Sequence, residues 1–229
     1  MLIEPVTVPG LDAAQLQSLF DTRTAVFACP VSDLSTKLLP EEFQLVQRAV
    51  QKRRDEFSSG RFCAHQALQA IGRDEGALLS GDQREPLWPS GVVGSISHSG
   101  PCAVAAASTD PVLLSVGVDV ETSGPLPDRV RDMICMPEDL AALGDNAENP
   151  VYWKLIFSAK ESVYKCLFPL LQRWMGFSQA RIHFDFSRAQ FSVALDHELC
   201  LPAEARPELL GRFLITDTYL VTSVQALRA

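Results

Sequence analysis

Two short segments hold the residue types best suited to chemistry. Gly117-Val118-Asp119-Val120-Glu121 places two acids two positions apart. On a strand that spacing puts both side chains on one face, with Val118 and Val120 on the other. Phe157-Ser158-Ala159-Lys160-Glu161-Ser162-Val163-Tyr164-Lys165 places Glu161 and Lys165 four apart. On a helix those two share a face. Three carboxylates with a lysine beside them make a set of hard oxygen ligands suited to Mg²⁺ and phosphate chemistry. Close carboxylates repel one another, a cost that a cation relieves.

Each segment also has a plainer reading. The strand can simply carry an acidic solvent face, and the helix an exposed ion pair worth about 0.3–0.5 kcal/mol. The second is weakened by Phe157, Val163, Tyr164 and Leu167, which make the helix largely apolar. Charges on a packed helix need partners.

Upstream lie groups that can meet an anion. Gly94-Ser95-Ile96-Ser97-His98-Ser99 ends an expected strand. Small residues and hydroxyls there give phosphate oxygens donors to meet, and His98 adds one that is cationic when protonated. Residues 48–61 hold Arg48, Lys52, Arg53, Arg54 and Arg61 against Asp55 and Glu56. That surplus suits an anionic ligand, although a solvated helix face is the commoner cause of such a run.

The elements that must position these residues follow from pattern. A short helix is expected near Asp12–Phe20 and a strand over Thr24–Cys29. Pro40-Glu41-Glu42 opens a helix, with proline in the first turn and acids at the positive end. Helical spacing runs on, with room for a break, to Ile71, where Gly72 stops it. Arg54 and Arg61 share a face of this helix. Asp82–Ser90 is a loop rich in turn residues. Strands are expected over Val92–Ser97, Ala103–Ser108 and Leu113–Glu121, the first two joined by a turn at Ser99-Gly100-Pro101. Residues 125–150 read as loop or short helices. Asn149-Pro150 then caps a helix that Pro169 should end at about Phe168. Four later strands are expected at Arg181–Phe186, Phe191–Leu195, Phe213–Asp217 and Leu220–Val224. Each half thus holds one long helix and several strands, a weak hint of duplication.

The chain has 229 residues, of which 47% are hydrophobic and 21% charged, enough for a packed core in one large or two small domains. The net charge of −8 argues against a general nucleic-acid binder. No apolar run is long enough for a membrane span, and the start lacks a signal-peptide pattern, so the expected location is cytoplasmic. The six cysteines form no C-x-x-C pair and are expected to be reduced core residues.

Taken together, five stretches resemble the 4′-phosphopantetheinyl transferases, in the surfactin-type branch near the enterobactin-synthetase component D group. They are Arg53 to Arg61, Arg84-Glu85-Pro86-Leu87-Trp88-Pro89, Gly94 to Ser99, Gly117 to Glu121 and Phe157 to Lys165, in the family's order. Phe157 departs from the tryptophan common in the family and touches packing only. The resemblance implies an α+β fold, a pseudo-twofold duplication of two similar α/β halves. Residues 1–115 would supply coenzyme A phosphate and adenine contacts, and residues 116–229 the metal site and catalytic helix. It implies transfer of the phosphopantetheine arm of coenzyme A to a serine of an acyl or peptidyl carrier protein, releasing adenosine 3′,5′-bisphosphate. Asp119, Glu121 and Glu161 match the family's Mg²⁺ ligands. Lys165 would stabilise or protonate the leaving phosphate. Glu161, directly or through water, would take the serine proton, and a metal-held water competes for that role. Ser97 and His98 would contact coenzyme A phosphates, and Arg54 and Arg61 its 3′-phosphate. Arg84, Pro86 and Trp88 would line the adenine end. Lys160 would assist binding or face solvent. Two halves in one chain make a monomer sufficient. A Mg²⁺-dependent nucleotide pyrophosphate hydrolase uses the same acids, and a non-catalytic coenzyme A or carrier-binding module is the third reading.

Overall fold

The computed structural model describes residues 8–21, 23–73, 76–197, 199 and 207–228. The first half holds α1 (Ala13–Gln17), β1 (Thr24–Pro30), α2 (Pro40–Val46), α3 (Gln51–Ala70), β2 (Val93–Ser99) and β3 (Cys102–Ser108). The second holds β4 (Leu113–Thr122), α4 (Asp128–Ile134), α5 (Pro137–Ala142), α6 (Pro150–Leu171), β5 (Ala180–Asp185), β6 (Gln190–Leu195), β7 (Glu208–Ile215) and β8 (Tyr219–Leu227). Two antiparallel sheets result, ordered β1-β3-β2 and β4-β8-β7-β6-β5. The α+β fold with two antiparallel sheets is the one expected.

Alternation along the strands sets the layers. Ala103 and Ala105 of β3 pack with Cys63 and Ala64 of α3, while Cys102, Val104 and Ala106 turn the other way. There they meet Val116, Val118 and Val120 of β4 and Val221 of β8. The two sheets therefore share an apolar layer. On the far side, Leu155, Ala159, Val163 and Cys166 of α6 pack with Leu220 and Val224 of β8. The described cysteines Cys29, Cys63, Cys102, Cys135 and Cys166 are free and buried, as expected, with Cys29 and Cys63 Sγ atoms 3.3 Å apart. Cys200 lies outside the described residues.

One close approach fixes α6 on β4. A Cβ on Gly117 would stand 2.0 Å from the Ser162 carbonyl oxygen and 2.7 Å from Cys166 N. Only the missing side chain lets the helix lie there. The Asn149 side chain accepts from Val151 N–H at 3.0 Å and Pro150 takes the first helical position, as the sequence indicates.

Several boundaries differ from expectation. The first-half helix divides into α2 and α3, at the break for which the sequence left room. Pro169 does not end α6; it sits inside the last turn, which closes at Leu171 with Gln172 at φ 51. A proline there removes one N–H near the helix end and is tolerated because little helix follows. β7 stops at Ile215, short of Asp217, because Thr216 Oγ1 accepts from the Thr218 and Tyr219 N–H groups and builds the turn into β8.

Candidate active site

The edges of the two sheets meet along β2 and β4, joined by serine side chains. Ser95 Oγ accepts from Val118 N–H at 3.0 Å, and Ser97 Oγ from Val120 N–H at 3.4 Å. The same Ser97 hydroxyl donates to Asp119 Oδ1 at 2.8 Å, and Ser99 donates to Glu121 Oε2 at 2.9 Å. Alternation on β2 thus delivers Ser95, Ser97 and Ser99 to β4, whose own alternation points Asp119 and Glu121 away from the valine layer.

Lys165 reaches this seam from α6. Its Nζ donates to Asp119 Oδ1 at 2.6 Å and to Ser97 Oγ at 2.9 Å. Asp119 is buried, yet its Oδ2 has no hydrogen-bond partner. A buried carboxyl oxygen without a donor is costly and fits a site that a cation completes. Burial pushes the Glu121 carboxyl above its ordinary value, and the negative Asp119 pushes it further. Burial likewise raises Glu161, where Lys165 acts downward and Asp119 upward. The oxygen donors of Asp119, Glu121 and Glu161 are of the type that suits a hard divalent cation. Among the described residues, no group of three or more His, Cys, Asp or Glu stands arranged to hold a metal ion.

A cavity of about 520 Å³ opens beside Lys165. Arg84, Pro86 and Trp88 line one wall, the start of β2 its floor, and Tyr164, Lys165 and Phe168 the wall opposite. Arg84 has a left-handed φ of 66°. Trp88 lies against Gly94 so closely that a Cβ there would stand 2.5 Å from its ring. The expected adenine-end residues and Lys165 therefore border one space.

Other expected residues are placed differently. Arg61 is buried, and its guanidinium donates to Leu78 O at 2.8 Å and to Ser80 Oγ at 3.1 Å. It also stacks over the Phe57 ring. Burial lowers its pKa to about 10, against the raising charge of Glu42. Arg54 donates to Ala49 O at 3.1 Å and to the Gln51 side chain, so its fork is spent on the helix's own first turn. Arg53 is the arginine that reaches His98, with Nη1 3.4 Å from Nε2. Arg53 and Arg61 both stand over the Phe57 ring, four residues from each. The seven-residue spacing of Arg54 and Arg61 gives a shared helix face but not which arginine reaches His98. His98 is half-buried; burial lowers its pKa, Glu56 opposes and Arg53 adds to the fall. Ser97 is a hub between Asp119 and Lys165, not a free phosphate donor. Lys160 neither faces solvent nor borders the large cavity. It is buried, paired with Asp139 at 2.5 Å, and donates to Ile134 O and Phe177 O, each at 2.9 Å.

Comparison with known proteins shows the family. The model of the 4′-phosphopantetheinyl transferase N-terminal domain matches residues 41–108, and that of the 4′-phosphopantetheinyl transferase superfamily matches residues 115–222. The chain belongs to the 4′-phosphopantetheinyl transferases. It is 34% identical to the 4′-phosphopantetheinyl transferase Npt of Nocardia iowensis over 82% of this chain and 89% of that one. Identity to Svp of Streptomyces mobaraensis is 40%, over 80% of this chain and 75% of that protein. Identity to PptT of Mycobacterium tuberculosis is also 40%, over 64% of this chain and 65% of that protein. The enterobactin synthase component D of Escherichia coli K12 is 37% identical over 130 residues. The two family matches part between Ser108 and Ser115, where β3 gives way to β4.

Proposed function

We propose that this chain transfers the 4′-phosphopantetheine arm of coenzyme A to a serine of an acyl or peptidyl carrier protein. The observation that carries the reading is the Ser97–Asp119–Lys165 hub, with its orphaned Asp119 oxygen, which reaches the cavity through Lys165. Residues 1–115 supply the wall for the nucleotide end, and residues 116–229 the carboxylates and Lys165.

Asp119, Glu121 and Glu161 would hold Mg²⁺, which when bound neutralises pyrophosphate charge and orients the reacting phosphorus. The serine oxygen forms the new bond to the phosphorus on the pantetheine side. The bond from that phosphorus to the oxygen of the nucleotide phosphate breaks, releasing adenosine 3′,5′-bisphosphate. Glu161, directly or through a water, takes the serine proton. Lys165, oriented by Asp119 and Ser97, meets the negative charge on the leaving phosphate. His98 and Arg53 stand together where a further phosphate could be met.

The decisive assay incubates the protein with coenzyme A, Mg²⁺ and an apo-carrier protein, then weighs the carrier by mass spectrometry. A gain of one phosphopantetheine supports transfer. Coenzyme A cleavage with an unchanged carrier supports the pyrophosphate hydrolase instead. Asp119→Ala and Glu161→Ala should each cut transfer by at least about 100-fold with the fold retained by circular dichroism. Near-normal transfer in either variant sinks the assignment of that carboxylate.

A further inference from the structure

We propose that Arg61, Glu42 and His65 form a positioning relay that holds the nucleotide wall of the cavity in place, and that Arg61 acts on coenzyme A through that wall. This rests on the coenzyme A reading above.

The backbone of Leu78 is gripped from both sides. Its carbonyl accepts from Arg61 Nε at 2.8 Å, and its N–H donates to Glu42 Oε1 at 2.9 Å. The same Glu42 oxygen is 2.7 Å from His65 Nε2, while Oε2 accepts from Leu39 N–H at 3.0 Å. Arg61 Nη2 also holds Ser80 Oγ at 3.1 Å and lies 3.4 Å from Leu79 O. Arg61 and His65 lie four apart on α3; Arg61 holds Leu78 directly and His65 through Glu42.

Beyond Leu78 the chain folds back on itself. Leu87 N–H donates to Leu79 O at 2.9 Å, Gly81 N–H to Glu85 O at 2.9 Å, and Ser80 bridges to Pro86. The residues this fold presents, Arg84, Pro86 and Trp88, are the ones that line the cavity. The relay therefore fixes the outgoing arm of a hairpin whose turn and returning arm line the cavity. Arg61 is 5% exposed and Glu42 fully buried. Arg61 Nε and Nη2 are held by two carbonyls and a hydroxyl, which makes the guanidinium a support for the wall.

The test separates positioning from direct phosphate contact. KM and kcat are measured with coenzyme A and with 3′-dephospho-coenzyme A for the natural protein, Arg61→Lys and Glu42→Gln. A displaced wall costs on the order of tenfold in KM. Both variants should raise KM for both substrates by a common factor, with kcat within about twofold and the preference for the 3′-phosphate unchanged. A collapse of that preference in Arg61→Lys alone would mean direct contact and refute the relay. Ser80→Ala, which removes one contact on the hairpin's outgoing arm, should give a smaller KM rise in the same direction. Amide hydrogen exchange on the free protein needs no turnover. Exchange over residues 79–87 should quicken in Arg61→Lys and Glu42→Gln, and unchanged protection there would also refute the relay. Failure of the natural protein to modify a carrier would strike the proposed function, while the exchange result would still judge the relay.

Discussion

At the scale of single residues, side chains placed by local periodicity were legible and those placed by distant partners were not. Asp119, Glu121, Glu161 and Lys165 could be placed because local periodicity fixes which side chains share a face. The roles of Arg61 and Lys160 depend on partners distant in sequence, Leu78 and Asp139, which no spacing rule supplies. Glu42 shows the same limit. In the sequence it is an acid suited to a helix start; in the fold it is wholly buried. Burial alone would raise its carboxyl, but hydrogen bonds from His65, Leu78 and Leu39 outweigh that, leaving it below the ordinary value. The charged groups that act on it are His65 and Arg61, both from α3. A folded pKa below the unfolded one adds stability above the unfolded value, lost as pH falls through the folded value. Denaturant titrations across acidic pH should therefore show Glu42→Gln with lower stability at neutral pH and a shallower acid limb. An acid limb as steep as the natural protein's would remove Glu42 from its causes.

At the scale of elements, α6 on β4 is the contact that assembles the site. Two cores had to be known before the role of Gly117 was visible, since its neighbours Ser162 and Cys166 come from another element. Gly117→Ala should cost about 1–3 kcal/mol by overpacking. It should also depress transfer more than the stability loss explains, because Glu161 and Lys165 ride on the displaced helix. Thermal unfolding and initial rates on the folded fraction check both parts. Lys160 ties α6 to the carbonyls of Ile134 and Phe177 and to Asp139, whose Oδ1 accepts from Ile182 N–H at 2.7 Å. Lys160→Met should cost about 3–5 kcal/mol, since it leaves a buried carboxylate unpaired. Adding Asp139→Asn, which removes the charge but keeps an acceptor for Ile182 N–H, should recover part of that loss in denaturant melts. An additive double variant would deny the coupling.

At the scale of the whole molecule, the order of strands and helices was readable, but the way the halves join was not. Serines on β2 looked like phosphate ligands because hydroxyls at a strand end suit both tasks; only the neighbouring edge of β4 reveals them as a seam. The apolar layer that joins β3 to β4 and β8 belongs to both sheets. Neither sheet can leave without exposing it, so calorimetry should show one transition with equal calorimetric and van't Hoff enthalpies. Two resolved transitions would contradict a shared core.

The buried cysteines carry a practical consequence. Cys29, Cys63 and Cys102 lie in the first sheet and its helix, Cys135 after α4, and Cys166 in α6. Together they form a set of internal chemical clocks. In a Cys200→Ser variant, the rate at which an alkylating reagent reaches each thiol, read peptide by peptide, times the opening of each layer of the protein.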